Sequence, residues 1–243
     1  KSKDPDLVGR MFTAKMVELA LANYPGLYMG GAVRSGGPVL VYWPALIDSK
    51  HIKFITCDTE TSALYPRNGY VLGISISHKP QQGVYISTDC VTEKVEKLLQ
   101  EIFSTKMVVF HNAKFDLKML EYHFGFNFPR VSDTMLMHYL LDESKGTHGL
   151  KFLALKYTEY GDYDKDLDNF RNQYCKEHHI LKGDFTYDLI PFDILAKYAA
   201  IDTAVTYELY QLFVTKILSS NELTRVYKEL MVPGMLFLKE VEE

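Results

Sequence analysis

Residues 53–61 read Lys-Phe-Ile-Thr-Cys-Asp-Thr-Glu-Thr, an apolar, β-branched run that leads straight into two carboxylates separated by one residue. Successive side chains of a strand point to opposite faces, so Asp58 and Glu60 project from one side of a sheet and Thr59 from the other. Two like charges held this close repel, and each costs free energy to desolvate. A buried pair of this kind calls for a metal ion, a proton or a cationic side chain. No Lys or Arg lies between Lys53 and Arg67. Taken alone, the stretch also reads as a strand end running into an Asp/Thr/Ser turn, so its meaning depends on what the chain places around it.

Two further strand-like runs follow, YVLGISISH from Tyr70 and GVYIST from Gly83, set apart by Asn68-Gly69 and the polar KPQQ. With residues 52–60 they predict an antiparallel meander. Across residues 91–103 the period changes: Val95, Leu98, Leu99 and Ile102 fall on one helical face, with Glu and Lys on the other. MVVFHN from Met107 predicts a strand, residues 113–122 a helix, and Val131-Ser132 a short last strand. Asp133 is read as the cap of the helix over MLMHYLLD, with another helix over residues 150–157. Residues 159–184 are polar, acidic and aromatic without a clean period, and read as a solvated insertion. Pro191 suits the first position of a long helix, FDILAKYAAIDTAVTYELYQLFVTKIL, where its missing N–H costs nothing. Tyr198 and Asp202, four apart on that helix, share a face. Antiparallel strands followed by strand-helix alternation predict an α/β fold, a mixed five-stranded sheet with its first three strands antiparallel and helices on both faces.

Upstream, residues 6–23 carry apolar positions at helical spacing. A glycine-rich break, Gly30-Gly31 and Gly36-Gly37-Pro38, precedes the apolar run VLVYWPALI. Residues 1–48 are expected to be an N-terminal extension or linker. The chain opens on Lys1 and stops in mid-pattern at Glu243, as a fragment of a longer protein would.

At 243 residues, 47% hydrophobic and 24% charged, the chain has the composition of an ordinary globular domain. A formal net charge of −4 excludes a broadly basic DNA coat and leaves a metal-bridged nucleic-acid enzyme open. The three cysteines, Cys57, Cys90 and Cys175, form no CxxC pair, which suits a reducing compartment such as the cytoplasm. No apolar run is long enough to span a membrane, and no membrane partner is expected.

Asp58 and Glu60 on a strand, Asp116 on a helix after His-Asn, and Tyr198 with Asp202 on the last long helix form a constellation. The segments DTETSAL (58–64), HNAKFD (111–116) and YAAID (198–202), in this order, resemble the three motifs of the DEDD exonuclease superfamily in its tyrosine-containing branch, as found in the proofreading domains of family A DNA polymerases. Similarity continues through DTMLMHYLLD, HGLKFLALKY and DLIPFDILAKYAAID. The blocks GYVLGISISH, KGTHGLK and DFTYDLIPFDI are most similar to the polymerases of the T-five group of bacteriophages. LMVPGMLFLKEVEE resembles the first helix of a family A polymerase module. Each motif alone is weak, but three in order, on the element types the chemistry needs, are a strong signal.

The resemblance implies a ribonuclease H-like three-layer αβα fold, with the exonuclease domain over residues 49–219 and the start of a truncated polymerase module over 220–243. It implies two divalent metal ions, Mg2+ or Mn2+. Asp58, Glu60 and Asp202 would hold the first, Asp58 would bridge, and Asp116 would hold the second largely through water. Hard ions prefer carboxylate oxygen, which suits an all-acid set. Tyr198, whose phenol has an ordinary pKa of about 10, would orient the attacking water rather than act as a base. Thr61 would bond the terminal 3′-OH through its backbone, Leu64 would wedge between the last bases, and Asn112 would touch the terminal nucleotide. Their plain alternatives are a turn residue, a core leucine and a helix cap. His111 and His148 are read as structural. The expected partner is a single-stranded or frayed DNA 3′ end, alongside a polymerase module on the same polypeptide. The competing classes are a catalytically silent exonuclease-like scaffold or DNA clamp, and an RNA-processing 3′-5′ exonuclease.

Overall fold

The apolar, β-branched runs around Asp58 form strands, and their alternation decides which side chain meets which layer. The structure is a computed structural model and describes residues 27–31 and 51–242. Its strands are β1 (Leu27–Gly31), β2 (Phe54–Thr61), β3 (Val71–Lys79), β4 (Gln82–Ser87), β5 (Met107–Phe110) and β6 (Val131–Asp133). They form one sheet in the order β1-β4-β3-β2-β5-β6. β2, β3 and β4 are the antiparallel meander, and β5 and β6 join in parallel beyond β2.

Beyond the five expected strands, a sixth sits at the sheet edge. β1 ends in Gly30-Gly31, which the sequence marks as a break, yet it pairs antiparallel with β4 from Leu27↔Ile86 to Gly31↔Gln82. An uncovered β4 would leave a row of unpaired backbone groups, and that demand outweighs the weak strand propensity of glycine. The helix expected over residues 6–23 and the apolar run at 39–47 lie outside the described residues.

Helices cover both faces. On one, α1 (Glu93–Thr105) and α2 (Ala113–Phe124) bury Leu99, Ile102, Phe103, Leu117 and Leu120 against Ile55, Cys57 and Ile74. Each such side chain, fully withdrawn from water, contributes about 1.5–3 kcal/mol. On the other face lie α3 (Thr134–Leu141), α4 (Leu150–Tyr157), α5 (Lys165–His178) and the long α6 (Phe192–Leu218). Val205, Leu209 and Phe213 of α6 pack with Val109, while Ala196 and Ala199 meet Tyr85. Pro191 is the N-cap of α6, one residue earlier than expected.

The seating of α6 on the sheet is close. A Cβ on Gly83 would fall 1.9 Å from the Ala200 carbonyl oxygen, so only glycine admits the helix backbone there. Thr56 Oγ1 donates to the Thr203 carbonyl at 2.8 Å, tying β2 to the helix one residue from Asp202.

Residues 165–178, expected as a solvated insertion, form α5. Leu167, Phe170, Tyr174 and Cys175 recur at helical spacing, and they pack with Phe185, Leu195 and Ala199. The surrounding charges, on the outer face, hide that period in the sequence.

After α6 come α7 (Asn221–Arg225), a π-helical stretch (Val226–Met231) and α8 (Val232–Glu242). Tyr227, 5% exposed, shares a 2.7 Å hydrogen bond with Ser132 Oγ and accepts one from the Asp133 amide at 2.8 Å. Met235 of α8 joins the core beneath α2. Among the described residues, no helix is long and apolar enough to cross a membrane.

Candidate active site

The pleat of β2 turns Asp58 and Glu60 toward α6, and α6 returns Asp202 to meet them. One carboxylate oxygen from each of the three lies within 4.8 Å of the others. Glu60 and Asp202 are 5% and 4% exposed, and the buried Glu60 Oε1 has no hydrogen-bond partner in the protein. Burial, then the neighbouring carboxylates Asp116, Asp202 and Glu60, hold the Asp58 carboxyl well above its usual range. Burial and Asp202 do the same to Glu60, while Lys151 opposes both shifts.

Asp116 stands behind this trio. It extends from α2 on the opposite face, where its Oδ1 accepts from the Thr59 amide at 2.9 Å and from Thr59 Oγ1 at 2.7 Å. Burial pushes it up to about 7, against the pull of those two bonds. Of the carboxylates around Asp58, Asp116 exerts the largest effect on it, so all four acids share one electrostatic site.

Tyr198 lies one turn before Asp202. Burial first, then Asp202 and Glu60, push its phenol well above the ordinary value, so it keeps its proton at neutral pH.

Two residues that sequence reasoning did not assign complete the cluster. Asp202 Oδ1 accepts from both Lys151 Nζ, at the start of α4, and Tyr163 OH, just before α5. Lys151 Nζ also donates to Tyr163 OH at 2.7 Å and lies 4.2 Å and 4.0 Å from the ring centroids of Tyr163 and Tyr198. The signal for Lys151 was the charge deficit of the Asp-Thr-Glu stretch itself, but the cation comes from a distant element.

The flanking residues divide. Leu64 is 74% exposed beside the site strand, unlike a core leucine. Thr61 closes β2, its Oγ1 donating to the Ala63 carbonyl at 2.9 Å. Asn112 occupies the N-cap position of α2 in the left-handed conformation, φ 68°, without a side-chain cap bond. The cap is supplied by Asp133, which accepts from the amides of Asn112, Ala113, Met135 and Leu136 and so caps α2 and α3 together. His111 and His148 are bonded internally, to Thr134 Oγ1 at 2.9 Å and to His138 Nδ1 at 2.8 Å.

Three carboxylates against one ammonium leave a shortage of positive charge, and Glu60 adds a buried oxygen without a hydrogen-bond partner. An all-oxygen donor set of this charge fits a hard divalent cation.

Residues 46–218 match the family model for the 3′-5′ exonuclease of family A DNA polymerases. The chain belongs to this family. The exonuclease chain is 52% identical over 197 residues to the DNA polymerase of Escherichia phage T5, covering 78% of this chain and 23% of that polymerase. It is 31% identical over 215 residues to DNA polymerase I of Borreliella burgdorferi, covering 82% of this chain and 21% of the relative. It thus spans about a quarter or less of the length of these curated relatives. Among solved structures, Escherichia coli RNase D superposes with a TM-score of 0.60 at 15% identity, over 82% of this chain and 48% of that one. Brucella melitensis NrnC gives 0.59 at 19% identity, over 80% and 89%. These two likenesses establish the ribonuclease H-like fold.

Proposed function

We propose that the chain hydrolyses the 3′-terminal phosphodiester of single-stranded or frayed DNA as the proofreading nuclease of a family A polymerase, in the cytoplasm. Water attacks phosphorus, the bond to the penultimate 3′ oxygen breaks, and a nucleoside 5′-monophosphate leaves a shortened strand with a new 3′-OH. The observation that carries this reading is the convergence of Asp58, Glu60 and Asp202 from a strand and a distant helix onto one spot.

Two divalent ions, Mg2+ or Mn2+, would be held by Asp58, Glu60, Asp202 and Asp116. When bound, such a pair supplies an activated water and stabilises charge on the phosphoryl group and leaving oxygen. Tyr198, protonated at neutral pH, donates or accepts a hydrogen bond that fixes the direction of the attacking water. The backbone of Thr61 receives the terminal 3′-OH, the exposed Leu64 separates the last two bases, and Asn112 meets the terminal nucleotide. Because the acids are recessed at the end of β2, an intact duplex end would have to fray before its phosphorus reached them. Residues 220–243 would lead into the polymerase module.

The test is release of labelled mononucleotide from single-stranded DNA with Mg2+ or Mn2+, with RNA digested in parallel. Asp58→Ala and Asp202→Ala are expected to abolish release while far-ultraviolet circular dichroism stays unchanged, and chelator to do the same to the parent. A folded Asp202→Ala chain that degrades DNA at the parental rate sinks the reading, and a preference for RNA redirects it to RNA processing.

A further inference from the structure

Asp202 Oδ1 is already taken by two donors, Lys151 Nζ and Tyr163 OH. This inference rests on the nuclease reading above. We propose that Lys151 is the resident counter-ion of the carboxylate cluster: it keeps the acids assembled when no divalent ion is bound, and an incoming ion must displace it from Asp202, so that Lys151 sets the metal concentration at which the nuclease turns on.

The geometry gives Lys151 both a seat and an exit. Its ammonium is clamped between the faces of Tyr163 and Tyr198, at 4.2 and 4.0 Å, and fastened to the Tyr163 hydroxyl at 2.7 Å. Yet its side chain is 33% exposed, against 6% for Asp202. A pair deep in the interior is costly to break, because the charge left behind is stranded. This pair is open to water on the Lys151 side, where such a contact is worth at most about 1 kcal/mol, so a divalent ion that binds three carboxylates outweighs it. On release the flexible stem can carry the ammonium into solvent. Tyr163 belongs to the same latch, since its hydroxyl contacts both partners of the pair.

The inference predicts opposite signs for two measurements on one variant, which a merely structural role does not. Removing Lys151 takes away a competitor, so metal binding tightens. It also leaves the acids uncompensated, so the metal-free chain melts earlier. Mn2+ is titrated into the full chain without DNA, by calorimetry and by the electron paramagnetic signal of free Mn2+, with melting followed separately in chelator. Lys151→Met is expected to bind Mn2+ roughly two- to fivefold more tightly, the factor corresponding to loss of one partly exposed ion pair. Its melting temperature in chelator is expected to fall. Lys151→Arg, which keeps the charge, should stay near the parent in both. Should Lys151→Met not fold, Tyr163→Phe, which loosens the latch by one hydrogen bond, is expected to tighten Mn2+ binding roughly twofold. Affinity unchanged or weakened in the folded variant overturns the proposal. If the parent binds Mn2+, and Asp202→Asn abolishes that binding while Lys151→Met does not tighten it, the counter-ion proposal alone fails. If the parent binds no Mn2+ at all, the nuclease reading fails with it.

Discussion

Thr59 and Asp116 are joined by two hydrogen bonds across the face of the sheet opposite Asp58 and Glu60, from the Thr59 amide at 2.9 Å and its hydroxyl at 2.7 Å. The tripeptide Asp58-Thr59-Glu60 therefore grips the site from both sides, with two acids forward and the residue between them holding a third behind. Thr59→Val removes the hydroxyl donor but keeps shape and backbone. It is expected to cost about 1–3 kcal/mol in urea unfolding, as for a buried carboxylate deprived of a donor, and to slow nucleotide release with all four acids present. Parental rate and stability together would show that Asp116 needs no such anchor.

Gly83→Ala tests the seating of α6. The added methyl would meet the Ala200 carbonyl oxygen at 1.9 Å, and backbone cannot step aside as a flexible side chain can. The expected outcome is a loss of about 1–3 kcal/mol or more. Nuclease activity should fall further than stability alone explains, because Tyr198 and Asp202 flank the point of contact. Thermal melting and nucleotide release on the same preparation check both.

Asp133 is buried, and its carboxylate satisfies the first amides of two helices at once. Asp133→Ala is expected to destabilise the chain by about 2–4 kcal/mol, twice an ordinary cap loss, since neither helix end has another side-chain cap. Chemical denaturation measures it. A loss under 1 kcal/mol would mean that water replaces the carboxylate at both ends.

The pH dependence of stability carries a signature of His111. Burial pushes its ring down to about 3, helped by the charges of Lys151, His138 and His148 and opposed by a backbone hydrogen bond at His148. The unfolded ring takes up a proton below its ordinary value of about 6.5, whereas the folded ring does not. Its contribution is thus complete above that pH and drains away as pH falls toward 3, by up to about 1.4 kcal/mol per unit. The raised acids Asp58, Glu60 and Asp116 slope the opposite way, so the quantity to measure is the difference between parent and His111→Gln, in which they cancel. That difference should grow between pH 6.5 and 4, the parent losing stability faster. A flat difference would show that the folded ring protonates normally.

Much of the site is legible in the sequence because it rests on two short-range periods. Alternation along β2 places Asp58 with Glu60, and a four-residue step along α6 places Tyr198 with Asp202. Lys151 and Tyr163 are not legible in that way. A cation that compensates an acid can arrive from any element, and the lack of Lys or Arg between Lys53 and Arg67 speaks only for the strand. α5 escaped notice because its apolar face is narrow and its charges crowd the helical period. β1 escaped because its role is to cover an edge, which no local propensity of Leu-Tyr-Met-Gly-Gly announces. Asn112 is the converse: its sequence position suggests a cap, but the cap belongs to Asp133, twenty-one residues on.

Tyr227 bears on how the molecule can be dissected. Its hydroxyl sits between Ser132 and the main chain of Asp133, beyond the end of the family match at residue 218. A fragment trimmed at that limit would strip a partner from the backbone of the residue whose carboxylate starts two helices, and would leave the core without Met235 as well. The smallest piece worth expressing as a self-standing nuclease therefore runs on through α8, even though no proposed ligand of the reaction lies there.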